Sequence, residues 1–264
     1  MAAFSDTRSS ADSCVVGNGI PRSGTYLVNN ILHHLGGWEN IGVHINPRTW
    51  DTWKRDDRVT LHPCTGRLAL NKLRNGQMAG AHLPWSKGLD RAMGRTAKDR
   101  RIKHILIHRD PRDTFLSYLN WVTKSDAFLT SAGGKEFRGF MLTQFENDDQ
   151  RLSYIIEQPQ HDPAVYDGYH PWLDSPNCLA VRFEDLYPEL YELRFGRVGP
   201  VFDGLLRYLE VDVSGVDLVE FSNQVHGMSN TEIGRYKNIY KDRHFAQIDT
   251  PAFRNSLERF GYAW

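Results

Sequence analysis

The chain has 264 residues, of which 40% are hydrophobic and 24% are charged, and its 32 basic residues balance its 32 acidic residues. This length fits one large α/β domain or one domain with insertions, and a net charge of zero argues against a surface for nucleic acid or for an anionic membrane. The three cysteines form neither a CxxC pair nor a disulfide framework, and no apolar run approaches the roughly 20 residues that span a bilayer. We therefore expect a cytoplasmic protein without a transmembrane segment.

The polar residues 1–12 lack the apolar core of a signal peptide and predict a flexible N-terminal tail. Across residues 13–264, apolar runs alternate with helix-like segments, which predicts a single-domain α/β fold with a central, mostly parallel sheet flanked by helices. The predicted strands cover residues 13–18, 77–83, 103–108 and 178–183. The predicted helices cover residues 25–35, 66–74, 86–96, 111–123, 134–146, 149–157, 198–209, 217–225 and 251–260.

A Gly/Ser turn joins the first predicted strand to the first predicted helix, with the sequence Gly19-Ile20-Pro21-Arg22-Ser23-Gly24-Thr25-Tyr26. The first N–H groups of a helix have no partner inside the helix, and the helix dipole favours negative charge there. Arg22 adds a forked cation, and Ser23 and Thr25 add hydroxyl donors. The Walker A spacing is absent. The turn therefore predicts a P-loop-like site for a phosphate-containing ligand that need not be ATP.

His82 stands at the end of the second predicted strand, directly before a proline-marked turn. A histidine at the carboxyl end of a strand can take a proton from an alcohol, although a single histidine more often fills a core position. Its place at the same sheet edge as the phosphate turn favours His82 as a general base. The adjacent His33 and His34 fall inside a predicted helix and are expected to be structural. No metal-ligand spacing is present, so no metal site is predicted.

A second anion site is predicted where the third strand meets the next helix. Asp110 suits the cap of that helix and Pro111 its first position, which leaves Arg109 at the end of the strand. Ser117 lies two turns into the helix, so Arg109 and Ser117 can hold one phosphate from two sides. The alternative is that Arg109 pairs on the surface with Asp110 or Asp113.

Two further segments are predicted to be loops. Residues 124–133 are rich in Ser, Ala and Gly and predict a mobile loop. Residues 226–248 are polar, aromatic and basic without a clear period, and predict a long functional loop.

Taken together, these segments resemble the sulfotransferase superfamily that uses 3′-phosphoadenosine-5′-phosphosulfate. Residues 20–25 resemble its 5′-phosphosulfate loop, written PKSGT or PRSGT, and residues 80–84 resemble its T-H-L-P segment. Residues 108–118 resemble R-x-P-x-D-x-x-x-S-Y, residues 181–186 resemble the Y-E-D-L signature, and residues 260–262 resemble the final L-G-Y. The motifs occur in the family's order over nearly the whole chain.

The resemblance implies an enzyme that moves a sulfuryl group from this donor to a hydroxyl of a small molecule, without a metal, and releases adenosine 3′,5′-bisphosphate. It implies that His82 is the general base and that Arg22 is catalytic, stabilising charge on the bridging oxygen. Arg109 and Ser117 correspond to the residues that hold the 3′-phosphate. The implied nucleotide-binding residues are Pro21, Arg22, Ser23, Gly24, Thr25, Tyr26, Arg109, Ser117, Phe183, Phe221, Gly234 and Arg235.

Several positions depart from the family pattern. Arg22 replaces a common lysine, Leu27 stands where an adenine-stacking tryptophan is usual, and Phe183 replaces the tyrosine of Y-E-D-L. The R-K-G that completes the 3′-phosphate site is replaced by residues 229–231, and a C-terminal dimer motif is missing, so that dimer is not predicted. The candidate substitute at the adenine is Phe221. At the 3′-phosphate either Arg235 substitutes or the site relies on Arg109 and Ser117.

The acceptor is the least specified part of this interpretation. Residues 124–170 are expected to form a lid that determines acceptor specificity, and residues 226–248 to cover the nucleotide. Aromatic walls suit an apolar alcohol, a phenol or the face of a sugar ring. The candidate acceptor-binding residues are Trp85, Trp53 and Trp121, whereas Trp172 is expected to pack in the core.

Two other functions remain open at the level of sequence. One is a P-loop kinase or nucleotide hydrolase, for which the chain lacks the Walker lysine and a convincing Mg²⁺ carboxylate. The other is a nucleotide-binding module that has lost catalysis, which the missing R-K-G allows and His82 argues against.

Overall fold

The computed structural model describes residues 12–45, 51–55, 58–62, 70, 73–94, 101–130, 133–226 and 232–264. Its internal contacts define two compact units. The first consists of Met1–His108 with Tyr169–Thr231, and the second of Arg109–Gly168 with Glu232–Trp264.

The first unit contains a five-stranded sheet in which every neighbouring pair is parallel. The strand order is β2-β5-β1-β6-β7. The strands are β1 Ser13–Gly19, β2 Glu39–Ile45, β5 Gln77–Ala81, β6 Arg101–His108 and β7 Cys178–Arg182. β1 is buried throughout and β6 is buried except at Arg101, which is why their short apolar runs identified them as strands. The predicted α/β fold with a mostly parallel sheet flanked by helices is confirmed.

Three strands were not predicted from the sequence. β2 lies at an edge of the sheet, and a bulge at Gly42, whose φ is +69°, interrupts its alternation of polar and apolar residues. A separate antiparallel hairpin is formed by β3 Asp51–Arg55 and β4 Arg58–His62. Both hairpin strands are too polar to stand out as apolar runs.

The helices are numbered here in chain order. They are α1 Thr25–Leu35, α2 Lys87–Met93, α3 Pro111–Lys124, α4 Asp126–Leu129, α5 Gly134–Gln144, α6 Asp148–Ile156, α7 Pro163–Asp167, α8 Phe183–Glu192, α9 Pro200–Leu209, α10 Leu218–His226, α11 Tyr236–Ile239, α12 Asp242–Ile248 and α13 Pro251–Arg259. No helix within these described ranges is long and apolar enough to cross a membrane. The predicted helix at residues 66–74 lies mostly outside the described residues.

The core of the first unit forms between the sheet and helices α1, α8, α9 and α10. Helix α1 buries Leu27, Val28 and Ile31 on one face, at the spacing expected of a helix that packs on a sheet. Helix α8 was not predicted because Pro188 lies within it and its first residue belongs to a motif expected to end a strand. Its buried residues Phe183, Leu186 and Leu190 join the same core.

The second unit is helical. Its aromatic core includes Phe115 of α3, which contacts Tyr166 of α7 and Phe253 of α13 with ring centroids 6.4 and 6.0 Å apart. The prediction of one long loop over residues 226–248 was wrong, because this segment contains α11 and α12. These helices span only four and seven residues, too few for a helical period to show in the sequence.

Candidate functional site

The turn between β1 and α1 is held together from inside by Ser23. The Ser23 hydroxyl lies 2.6 Å from the Ile20 carbonyl oxygen and 2.9 Å from that of Ile107, and its N–H donates to Ile20 at 3.0 Å. The side chain is fully buried. Ser23 therefore anchors the turn to β6, in place of the ligand-facing hydroxyl that the sequence suggested.

Two residues of the turn have positive φ. Arg22 has φ +72°, one of two such non-glycine residues among those described, and Gly24 has φ +110°. A Cβ on Gly24 would lie 2.7 Å from Cδ2 of Phe183, so the ring of Phe183 packs directly against the turn. Strain of this kind persists only where surrounding contacts impose it, and it concentrates at functional sites. Arg22, the cation of this turn, therefore has a backbone conformation that arginine rarely adopts.

Helix α1 begins without a side-chain cap. Its N-cap is Gly24, and its first turn contains no acidic residue. Several other helices begin with a side chain that accepts a backbone N–H, namely those capped by Ser86, Asp110, Asn147, Asp162 and Thr250. An uncapped N-terminus beside Arg22 is suited to an anion supplied from outside the chain.

His82 is hydrogen-bonded to the start of this turn. Its Nδ1 lies 2.7 Å from the Gly19 carbonyl oxygen, and its backbone N–H donates to the Ile45 carbonyl at 2.9 Å. Because a carbonyl oxygen only accepts, Nδ1 carries the proton in this contact. In the neutral ring, Nε2 then has the lone pair and is the atom that can accept a proton.

The residue after His82 is fixed by Asn18, which the sequence analysis did not single out. The Asn18 amide donates to the Leu83 carbonyl at 2.9 Å and accepts from the Leu83 N–H at 2.8 Å. The indole N–H of Trp172 donates to the same carbonyl at 2.9 Å, and both side chains are fully buried. The core position predicted for Trp172 is confirmed. Asn18 and Trp172 together prevent the His82 segment from shifting along the strand.

The surroundings of His82 keep it neutral. Desolvation, the neighbouring His44 and the charge of Arg22 lower the pKa of His82 to about 3, although its hydrogen bond to Gly19 acts in the opposite direction. At neutral pH the ring is therefore an imidazole, the form that a general base requires.

The second predicted anion site lies in the second unit and is organised by Asp113. The Arg109 guanidinium lies 3.5 Å from Asp113 Oδ2 and donates to the Glu232 carbonyl at 3.2 Å. Asp113 also accepts from the N–H groups of Gly234 at 2.6 Å and Tyr236 at 3.2 Å. Arg109 does pair with Asp113, as the alternative interpretation proposed. The pair is buried, however, and does not lie on the surface. Burial raises the pKa of Asp113 against the opposing influence of Arg109.

Asp110 and Arg112 of the same motif form a second internal pair. Asp110 caps α3 by accepting from the Arg112 N–H, and its carboxylate receives the Arg112 guanidinium at 2.9 and 2.7 Å. Arg112 also donates to the Ala263 carbonyl at 2.7 Å and lies over the Tyr236 ring at 4.1 Å. The Asp110–Arg112 pair therefore holds the C-terminal segment at Ala263 against α3.

The remaining residues predicted for this second site are more open. Ser117 is half-buried and follows Asp113 by four residues, so the two share one face of α3. Gly234 has φ +74°, and the Arg235 guanidinium approaches Glu232 only to 4.0 Å.

Other predicted site residues have mixed positions. Phe221 is 1% exposed and packs on Phe202 in the core, so it is removed from the candidate site. Trp85 is half-buried, and Trp121, also half-buried, packs edge-on against Phe128 at 4.7 Å. Trp53 lies on β3, and its side chain is outside the described residues. Within the part of the chain that the structure describes, no group of three or more His, Cys, Asp or Glu side chains could hold a metal ion.

Comparison with known proteins found a similar structure but no similar sequence. No family model and no curated protein sequence matches the chain. Its fold is similar to the crystal structure of mouse sulfotransferase SULT7A1 complexed with PAP, with a TM-score of 0.56 and 11% sequence identity. The match covers 98% of this chain and 90% of that chain. The chain thus has the fold of this sulfotransferase.

Proposed function

We propose that this protein is a sulfotransferase that uses 3′-phosphoadenosine-5′-phosphosulfate and transfers its sulfuryl group to a hydroxyl of a small molecule. The observation that carries the proposal is the bond between His82 Nδ1 and the Gly19 carbonyl. It joins a neutral histidine to the first residue of the turn for which the phosphate site is proposed. Both sequence motifs and the fold of the mouse sulfotransferase support the same assignment.

The residues of the turn fit the phosphosulfate end of such a donor. The start of α1 offers backbone N–H groups and Arg22, and it contains no carboxylate that would repel an anion. When bound, the donor supplies an activated sulfuryl group and a bisphosphate leaving group. Thr25 and the first-turn N–H groups would bind the 5′-phosphate, while Pro21 and Tyr26 flank them.

His82 would act on the acceptor. Its Nε2 takes the hydroxyl proton as the new S–O bond forms and the bridging S–O bond breaks, and Arg22 stabilises the negative charge left on the bridging oxygen. Transfers of this type depend on in-line positioning and on charge stabilisation more than on covalent catalysis.

For the 3′-phosphate we assign Arg109 and Ser117, with Gly234 and Arg235 as the neighbouring contacts. The support is the matching motif and the position of Ser117 one turn beyond Asp113, which Arg109 contacts. The N–H groups of Gly234 and Tyr236 donate to Asp113 and hold their segment beside α3.

For the acceptor we keep Trp85, Trp53 and Trp121 as candidate contacts, and residues 124–170 as the region that determines specificity. The support is chemical, since aromatic side chains suit phenols, apolar alcohols and sugar faces.

A sulfate-transfer assay tests the proposal. The purified protein is incubated with donor carrying labelled sulfate and with panels of phenols, steroids, sugars, lipids and amines. Transfer to at least one hydroxyl acceptor in the presence of EDTA is expected. Transfer from labelled ATP that depends on Mg²⁺ would instead indicate the kinase or hydrolase alternative. Nucleotide binding without any transfer would indicate the inactive module.

A further inference from the structure

A bulge in β2 determines where His44 lies. Asn40 is in register with Met78 and His44 with Gly80, so three residues of β2 lie opposite one residue of β5. Gly42 within the bulge has φ +69°, and its N–H donates to the Asn40 side chain at 2.9 Å. Bulges at sheet edges commonly redirect a side chain beside an active site.

The redirected ring of His44 lies against His82. The two ring centroids are 4.1 Å apart and the planes are inclined by 51°. Gly80 permits this contact, because a Cβ there would lie 2.7 Å from His44 Nδ1 and 2.7 Å from the Asn29 amide nitrogen. The residue after His44, Ile45, accepts the backbone N–H of His82. One short segment of β2 thus contacts His82 through both backbone and side chain.

We propose that His44 is a positioning residue for His82, whose ring packing keeps the base in the Nδ1–H form with Nε2 directed to the acceptor. This inference rests on the proposed function for its rate consequence, but the orientation of His82 does not depend on it. The Gly19 carbonyl fixes one edge of the His82 ring, and the His44 ring blocks rotation toward the side of β2.

The arrangement favours packing over proton transfer as the role of His44. The two ring planes are inclined by 51° at a centroid distance of 4.1 Å. Although part of His44 remains exposed to solvent, desolvation of the rest lowers its pKa, so two neutral rings meet at neutral pH.

The test compares ring-retaining with ring-free variants by two independent measurements. The first is ¹⁵N NMR of the histidine rings, which reports the tautomer of His82 without any turnover. The second is the rate of sulfate transfer. His44→Phe keeps the ring, His44→Ala and His44→Gln remove it, and Gly80→Ala displaces it. The matched control is His33→Ala, which removes one ring of the other histidine pair, His33–His34, with centroids 5.0 Å apart.

The three variants that remove or displace the His44 ring are expected to mix the His82 tautomers; they are His44→Ala, His44→Gln and Gly80→Ala. They should also lower kcat by about 10- to 100-fold, which is the cost of misplacing a catalytic group by about 1 Å. His44→Phe and His33→Ala should keep the Nδ1–H form and a rate close to that of the unmodified protein. An unchanged tautomer in His44→Ala would overturn the proposal. A His44→Phe variant as impaired as His44→Ala would overturn it as well, because His44 would then act through its nitrogens. If no variant transfers sulfate, including the unmodified protein, the proposed function fails while the NMR result still decides the role of His44.

Discussion

Helices α1 and α3 each follow a buried parallel strand, yet the polar groups at their N-termini have different partners. Helix α1 starts at Gly24 with no side-chain cap and no acidic residue in its first turn. Helix α3 is capped by Asp110, which also binds Arg112. The first arrangement leaves the helix dipole without a capping side chain, whereas in the second Arg109 and Arg112 pair with Asp113 and Asp110. The motif around Arg109 therefore has a structural role in addition to the binding role proposed for it.

The largest effect is expected at the base beside α1. His82→Ala should lower kcat for sulfate transfer by about 10²- to 10⁴-fold, the range of general acid–base catalysis, and should leave donor binding nearly unchanged. Steady-state kinetics and equilibrium binding of the nucleotide measure the two effects separately. His33→Ala is the matched control. An unchanged rate in His82→Ala would show that the base is another group.

The turn itself is tested by Arg22→Gly. Glycine removes the cation and also relieves a backbone conformation with φ +72°, which costs other residues about 1–2 kcal/mol. The transfer rate should fall by about 10²- to 10³-fold, as when a transition-state donor is lost, while the free energy of unfolding stays the same or rises. Arg22→Lys keeps the charge and should retain more activity. A less stable variant with an unchanged rate would mean that Arg22 serves the fold alone.

A matched pair of variants separates the structural role of Arg109 beside α3 from its proposed binding role. Arg109→Ala and Asp113→Asn each disrupt the same buried ion pair, so both should lower the free energy of unfolding by about 1–3 kcal/mol. Only Arg109→Ala should weaken binding of the 3′-phosphorylated nucleotide relative to its 3′-dephospho analogue, by about tenfold or more, since hydrogen bonds to charged groups contribute about 1.5–3 kcal/mol. Isothermal titration with both nucleotides measures the ratio. Equal selectivity in the two variants would leave Arg109 with a structural role only.

The smallest expected effect is a dependence of the free energy of unfolding on pH. It comes from His104, which belongs to neither helix N-terminus. Burial lowers the pKa of His104 to about 3, and the ring packs edge-on against Trp172 at 4.3 Å. Between pH 6.5 and about 3 the unfolded chain binds a proton that the folded chain does not, so stability falls as the pH falls. Urea unfolding at pH 7.5 and pH 5.0 should show a loss of about 1–2 kcal/mol from this residue, which His104→Phe removes. An equal loss in both proteins would contradict the assignment.

The sequence predicted the interior of the fold better than its edges. The runs that form β1 and β6 are apolar and buried, so their pattern alone identified them. β2 was not predicted because a bulge at Gly42 interrupts its alternation of polar and apolar residues at the edge of the sheet. Its register with β5 depends on hydrogen bonds between distant segments, which no local pattern contains.

The candidate site divides in the same way. The turn before α1 and His82 were proposed as site residues because each lies within a short contiguous motif. His44 was missed because it contacts His82 only through the unpredicted β2. Asn18 was visible as a polar residue at the end of an apolar strand, but its bonds to Leu83 come from folding. Phe221 was proposed for the adenine by analogy, and its burial in the core is a property of helix packing.

The most direct test of the central claim, that the turn before α1 belongs to a sulfuryl-donor site, is isothermal titration with adenosine 3′,5′-bisphosphate in EDTA. We predict metal-independent binding that is tighter than binding of adenosine 5′-monophosphate and that is weakened by Arg22→Gly. Absence of bisphosphate binding, together with tight binding of ATP in the presence of Mg²⁺, would contradict the account.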